Sequence, residues 1–194
     1  MYQRESQRQQ LRQKSQTLEG YLRSLEMIME VSWADAFSIP RIAQLTQKTN
    51  QFNLTTRRYT EEDVRLLVED PLTDVLYASV RDRFDDSGII AVAIVRYEND
   101  CARIDTLLMS CRVIGRGIEQ TLLATILLAA RNRDCQSVQG EYIPTAKNEL
   151  VKDLFLQNGF APVGHPKRSL WSRELSLPPL PYPDWFREVK INWR

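Results

Sequence analysis

Histidine is almost absent from this chain. His165 stands alone among 194 residues, which removes any scheme needing two imidazoles and leaves a Ser-His-Asp relay or a zinc site little to stand on. Beside Pro166 it reads as a surface turn residue. Cysteine is nearly as scarce. Cys101, Cys111 and Cys135 are an odd count without metal-type pairing, and no secretory leader is expected. They read as reduced thiols of a soluble, cytoplasmic protein, and no metal is expected. An excess of one charge is missing too: 26 basic against 25 acidic residues leave +1, too little to feed on a phosphate backbone, so no nucleic-acid partner is expected. Long apolar runs are lacking. Leu122–Ala130 falls short of the roughly 18 residues a membrane span requires, so no membrane partner is expected.

What is present is an ordinary globular composition, 43% hydrophobic, at a length suited to one domain. Residues 1–24 differ from the rest: rich in Gln, Arg and Glu, with scattered apolar residues, they read as a solvated helix. That helix is either a linker from an upstream domain or a mobile N-terminal extension. From Leu25 strand and helix signals alternate. Met27–Val31 reads as a strand, and Ser38 with Pro40 opens a helix to about Thr49. Asn50–Arg58 is polar and irregular, and Thr60 starts a helix with an acidic first turn. Asp74–Asp82, Ile89–Tyr97 and Ala102–Ser110 form an antiparallel meander with turns at Asp85–Gly88 and Glu98–Asp100. A largely buried helix is expected over Ile118–Arg133, a strand over Ser137–Tyr142, and a helix over Asn148–Asn158 closed by Gly159. Pro178–Pro183 is too proline-rich for a helix or inner strand, and Trp185, Phe186 and Trp193 are expected to fold the tail (178–194) back on the body (25–177).

The most informative stretch is Cys111–Ile118, where a strand meets a turn with two glycines that leads directly into a helix. Gly115 and Gly117 allow close backbone approach, and the helix N-terminus adds partial positive charge, which together suit a phosphate. A plain strand–helix turn with two convenient glycines fits the same residues. Arg112-x-x-Gly115-x-Gly117 resembles the central signature of the GNAT acyltransferases (GCN5-related N-acetyltransferase fold). Asn148, followed by Leu154 to Phe160, resembles that family's second motif. The resemblance implies an α/β fold with a mostly antiparallel central sheet flanked by helices. It also implies a cleft between the strands ending near Ser110 and Tyr142 that splays to admit a pantetheine arm. Coenzyme A or carrier-bound phosphopantetheine would then be held by Arg112, Val113, Gly115, Arg116, Gly117 and Asn148. One departure stands out: Phe155 occupies the position where many such enzymes carry a proton-donating tyrosine, and a phenyl ring donates no proton.

Longer stretches resemble the C-terminal domain of the FkbH-like family of polyketide assembly lines: Ser24–Met27, Pro40–Asn53, Ser110–Arg112 and Gly140–Asn148. That resemblance implies an upstream haloacid-dehalogenase-type (HAD-type) domain and delivery of a glyceryl unit, as a thioester, to an acyl carrier protein. Within it Cys111 becomes the candidate nucleophile, beside a helix N-terminus, Arg112 and Arg116, which favour the thiolate; free cysteines are otherwise usually buried hydrophobes. Glu141 is the second catalytic candidate, as a base or an orienter of acyl hydroxyls, or else a plain edge carboxylate. Asn50, Gln51 and Asn53 offer amides to a polar acyl chain, or bond within their own loop. Lys147 is a candidate substrate or carrier contact, or else a solvated charge. A coenzyme A-dependent N-acetyltransferase and a non-catalytic carrier-docking module are the alternatives.

Overall fold

The computed structural model describes residues 2–164 and 169–193, so His165 and Pro166 lie outside the described residues. Among these, eight strands form one sheet in the order β6-β7-β5-β4-β3-β2-β1-β8. The strands are β1 (Ile28–Trp33), β2 (Thr73–Arg81), β3 (Asp86–Glu98), β4 (Cys101–Met109), β5 (Ser137–Glu141), β6 (Ala161–Pro162), β7 (Leu170–Glu174) and β8 (Glu188–Asn192). The helices are α1 (Tyr2–Lys14), α2 (Leu18–Ser24), α3 (Ile39–Lys48), α4 (Glu61–Glu69), α5 (Ile118–Asn132) and the single turn α6 (Leu154–Gln157). No helix among the described residues is long and apolar enough to cross a membrane.

Local chemistry accounts for most of these elements. The expected antiparallel meander is β2–β3–β4, and its central strand carries a run of buried residues from Ile90 to Val95, covered on both faces. The α4 helix starts with a reciprocal capping box between Thr60 and Asp63. One sheet face packs α5, with Leu123 and Ile126 fully buried, together with Leu22, Leu25 and Met29. The other packs α3 and α4 through Ile42, Leu45 and Val64.

The feature that shapes the middle of the sheet is one extra residue in β4. Ile94 pairs with Thr106 but its neighbour Val95 pairs with Ile104, leaving Asp105 as a bulge. The parallel pairing of β4 with β5 runs from Cys101–Ser137 to Ile104–Gly140 and ends there, at the bulge. Beyond it the strands part, as expected, but the gap is not open. Residues Phe52–Leu54 lie in it, with an antiparallel bridge between Asn53 and Leu108.

Several expectations are corrected. Residues 1–24 are not one solvated helix. They form two helices, and Leu22 of α2 is buried in the core. The Arg8 guanidinium of α1 grips Asp82 through Nε (2.9 Å) and Nη2 (3.2 Å). Ser38 precedes α3 but makes no side-chain cap; its hydroxyl closes a local turn with Asp35 instead. The turn expected at Asp85–Gly88 falls at Asp82–Asp85, where the Asp82 carboxylate accepts from the Phe84 and Asp85 amides. The helix expected over Asn148–Asn158 is broken into a 3-10 turn (Glu149–Val151) and α6, and neither Asn148 nor Asp153 caps its element with a side chain. The tail does return to the body, and its end is strand β8, parallel to β1. A strand was not expected there, and Lys190 opposite Glu30 is the cross-strand charge pair that supports it.

Asp82 is the most enclosed acid of the α1 side. Its side chain is 2% exposed and also pairs with Arg116 at 3.2 Å. Replacing it by Ala removes the anion that the enclosed Arg116 guanidinium faces and one anchor of Arg8, and urea denaturation of Asp82→Ala is expected to show a loss of about 3–5 kcal/mol. Glu119, in the first turn of α5, has a buried Oε2 without a partner, and burial raises its pKa. The folded protein therefore holds this proton more tightly than the unfolded chain. Its contribution is fully present below the ordinary glutamate range and is lost as pH rises through the raised folded value. Glu119→Gln is expected to raise the melting temperature at neutral pH and to flatten that pH dependence.

Candidate active site

β4 delivers Cys111 into a 3-10 turn, Cys111–Val113, and the thiol is exposed. It faces a cavity of about 730 Å³ between this turn, α3 and the β5–α6 connection. Arg41 and Lys48 of α3, Asn50 and Gln51 of the following loop, and Lys147 line it together with Cys111. Leu45 and Phe52 give it apolar walls, and no carboxylate among the described residues lines it. Arg41 feels this directly. Burial, then the charge of Arg112, lower its pKa. Its guanidinium bonds the Ile89 carbonyl and the Gln44 side chain, both uncharged acceptors.

Four of the residues singled out from sequence thus meet in one place: Cys111, Asn50, Gln51 and Lys147. Arg112 stands beside them, exposed, with Nε 3.4 Å from Ser110 Oγ. The rest do not join them. Glu141 is held by Arg57 Nη2 at 2.9 Å, within a network around Asp105 that includes Arg96 and the Tyr59 hydroxyl. Val113 is core, 1% exposed. Arg116 turns away to Asp82 and to the Arg112 carbonyl. Gly117 keeps its left-handed φ of 80° and starts α5, but its Cα is covered by the tail. A Cβ there would lie 2.8 Å from the Trp185 ring, and Trp185 Nε1 donates to the Arg116 carbonyl at 2.9 Å. Gly115, with φ 78°, remains exposed. Arg41 and Lys48 were missed by sequence reasoning. The signal was available, since Arg41, Leu45 and Lys48 are spaced i, i+4, i+7 on one helix face.

Asn53 and Asn148 are both fully buried. Asn53 Oδ1 accepts from the Thr55 and Thr56 amides and its Nδ2 donates to the Thr49 carbonyl, which folds the loop on itself. Asn148 Nδ2 donates to the Asn53 and Ile143 carbonyls at 2.8 and 3.0 Å, and its Oδ1 accepts from the Thr145 amide. Both side chains bond groups of the chain itself. Phe155 is also fully buried, packed 5.0 Å from Phe160 with its ring filling the space above Gly140, where a Cβ would overlap it. No group of three or more His, Cys, Asp or Glu side chains among the described residues could hold a metal ion.

No family model and no curated protein matches this sequence. Solved structures do. Ribosomal-protein-S18-alanine N-acetyltransferase from Escherichia coli superposes with a TM-score of 0.59 at 13% identity, over 77% of this chain and 96% of its own. An acetyltransferase of the GNAT family from Staphylococcus aureus gives 0.58 at 10% identity, over 76% and 99%. N-acetylglutamate synthase from Neisseria gonorrhoeae, solved with coenzyme A and N-acetyl-glutamate, gives 0.57 at 17% identity, over 76% and 35%. The chain has the GNAT fold.

The group this fold implies, a pantetheine arm between β4 and β5, does not fit the residues present. On the edge of β4 that faces the gap, the Leu107 carbonyl and the Met109 amide are already bonded, to Leu54 N (3.1 Å) and Phe52 O (2.9 Å). The thiol, by contrast, is open. Brief iodoacetamide treatment followed by peptide mass spectrometry is expected to label Cys111 about tenfold faster than Cys135, which is buried and whose pKa burial raises.

Proposed function

We propose that this chain is an acyltransferase domain in which Cys111 carries an acyl group, glyceryl, on its way to the phosphopantetheine thiol of an acyl carrier protein. The observation that carries this reading is the position of the Cys111 thiol on a cavity lined by amides and three cations, without a carboxylate. Amide groups suit an acyl chain with two hydroxyls. Arg41, Lys48 and Lys147 suit an acidic carrier surface and the phosphodiester that tethers its arm. The carrier arm acts here as a substrate arriving at the cavity mouth. In the transfer the incoming carrier thiolate attacks the Cys111 thioester carbonyl. Its new C–S bond forms as the Cys111–acyl bond breaks, and the Cys111 thiolate leaves with the electron pair. One thioester replaces another with no net proton change, so no strong general base is required. The buried Phe155 and the ion-paired Glu141 are therefore no handicap.

The proposal includes an upstream HAD-type domain as the source of the acyl group, a cytoplasmic location, and a place for this chain in polyketide assembly. The rival reading as a coenzyme A-dependent N-acetyltransferase draws on the activities named for the structural neighbours. The filled gap and the absence of a proton donor at Phe155 count against it.

Intact-protein mass spectrometry after mixing the chain with glyceryl-loaded carrier reads the exchange in its reverse direction. A glyceryl adduct is expected on the wild type and not on Cys111→Ala. Lys48→Glu is expected to slow adduct formation about tenfold, with a weaker dependence on salt. Carrier binding without an adduct on either protein would replace the catalytic reading by a docking module.

A further inference from the structure

The gap between β4 and β5 is filled by the chain's own backbone, and the filling is built rather than incidental. Three main-chain hydrogen bonds seat it: Leu54 N to Leu107 O (3.1 Å), Met109 N to Phe52 O (2.9 Å) and Ile143 N to Leu54 O (2.8 Å). The first two satisfy the free edge of β4 and the third ties the segment to the chain leaving β5. Side chains lock it from three sides. Asn148 Nδ2 donates to the Asn53 carbonyl, and Thr55 Oγ1 to the Asp105 carbonyl at 3.0 Å. Arg57 Nη1 donates to the same Asp105 carbonyl at 2.6 Å, while its Nη2 holds Glu141 across the gap. The carbonyl that the bulge releases from the ladder is thus satisfied by the segment that the bulge admits. Asn53 and Leu54 are fully buried and Phe52 is 5% exposed.

A pantetheine arm carries amide N–H and carbonyl groups along an extended chain, so it would need the same donor and acceptor on β4. Both occupants cannot be present. Entry of the arm would require breaking the three main-chain bonds and bringing Phe52 and Leu54 out of the core they share with Leu107 and Phe155.

We propose that Phe52–Leu54 is a resident strand standing in the place of a pantetheine arm, and that it closes this sheet to coenzyme A and to any carrier arm threaded between β4 and β5. A thiol acceptor reaches Cys111 from the cavity beside α3, not through the sheet. The segment thereby sets the route by which a pantetheine can approach. This inference does not depend on acylation of Cys111; it concerns where a pantetheine can go.

Hydrogen exchange and amide shifts by NMR on the full chain, with and without millimolar coenzyme A, test it. The Leu54, Met109 and Ile143 amides are expected among the slowest to exchange, with rates and shifts unchanged by the ligand. Shifts confined to the Gly115 loop would leave the proposal standing, since binding there bypasses the gap. Shifts at those three amides, or contacts from pantetheine methylenes to Leu107 or Met109, would overturn it, as would fast exchange of the three amides in the free protein. Asn148→Ala removes the latch and is expected to speed exchange at Leu54 and Ile143 about tenfold. If that variant does not fold, Thr55→Val, which keeps shape and loses only the bond to Asp105, gives the same readout at Leu54. Exchange unchanged from wild type in the variant measured would overturn the resident-strand assignment.

Discussion

One inserted residue, Asp105, is the constraint on which the centre of this protein depends. A bulge bends its strand and leaves one residue outside the ladder. Here the bend separates β4 from β5 after Ile104, and the released carbonyl becomes an acceptor for Thr55 and Arg57. Those bonds draw the loop after α3 into the gap, and that loop fixes where α3 ends. The cavity beside Cys111 is bounded by the same loop, so its shape follows from the bulge several steps away. The side chain of Asp105 serves the same end. It gathers Arg57, Arg96, Tyr59 and Thr106, so that a buried carboxylate meets enough donors to be tolerated.

Charge is distributed unevenly for a chain that is nearly neutral. Three enclosed aspartates each draw cations: Asp82 takes Arg8 and Arg116, Asp74 takes Arg133 with the Tyr97 hydroxyl, and Asp105 takes Arg57 and Arg96. These pairs fasten elements distant in sequence. The cations around the cavity have a different setting. No acid lines the space beside Arg41, Lys48 and Lys147, so their field is directed into it. The division matters for reading sites from sequence. Arg116 looks the more suitable phosphate ligand because it lies in the glycine loop, yet it is spent on Asp82, while Arg41 on an ordinary helix faces the cavity.

The fold was legible because its signals are local. Hydrophobic runs in β3 and α5, the capping residues of α4 and the turn at Asn99 each specify their own element, and two glycine-bearing motifs in order gave the family of folds. The candidate site was half legible. Cys111, Asn50, Gln51 and Lys147 lie in or next to distinctive motifs. What could not be read was which amide faces a ligand and which faces the chain. Asn50 and Asn53 are three residues apart in the same polar stretch, yet one lines the cavity and the other is fully buried. The difference is the pairing of the Asn53 backbone with β4, a contact between residues remote in sequence. Asn148 shows the same dependence: it sits at its motif position, and its amide holds the inserted segment. The β8 strand escaped notice because Pro178–Pro183 dominates its neighbourhood and its partner, β1, lies at the other end of the chain.

The pairing of β1 with β8 has a consequence for how this polypeptide comes into being. The partners are separated by 160 positions, Ser32 opposite Asn192, and parallel contacts of that span are costly to close and late to form. During synthesis β1 can pair with β2 as soon as Arg81 has emerged, but its outer edge has no partner until β8 has been made. Until then it is an uncovered strand edge of the kind that recruits other chains. Trp193, its ring tilted at 41° and centred 5.2 Å from Trp33, arrives with β8. β8 therefore acts as a clasp that can be fastened only after every other strand of the sheet has been made.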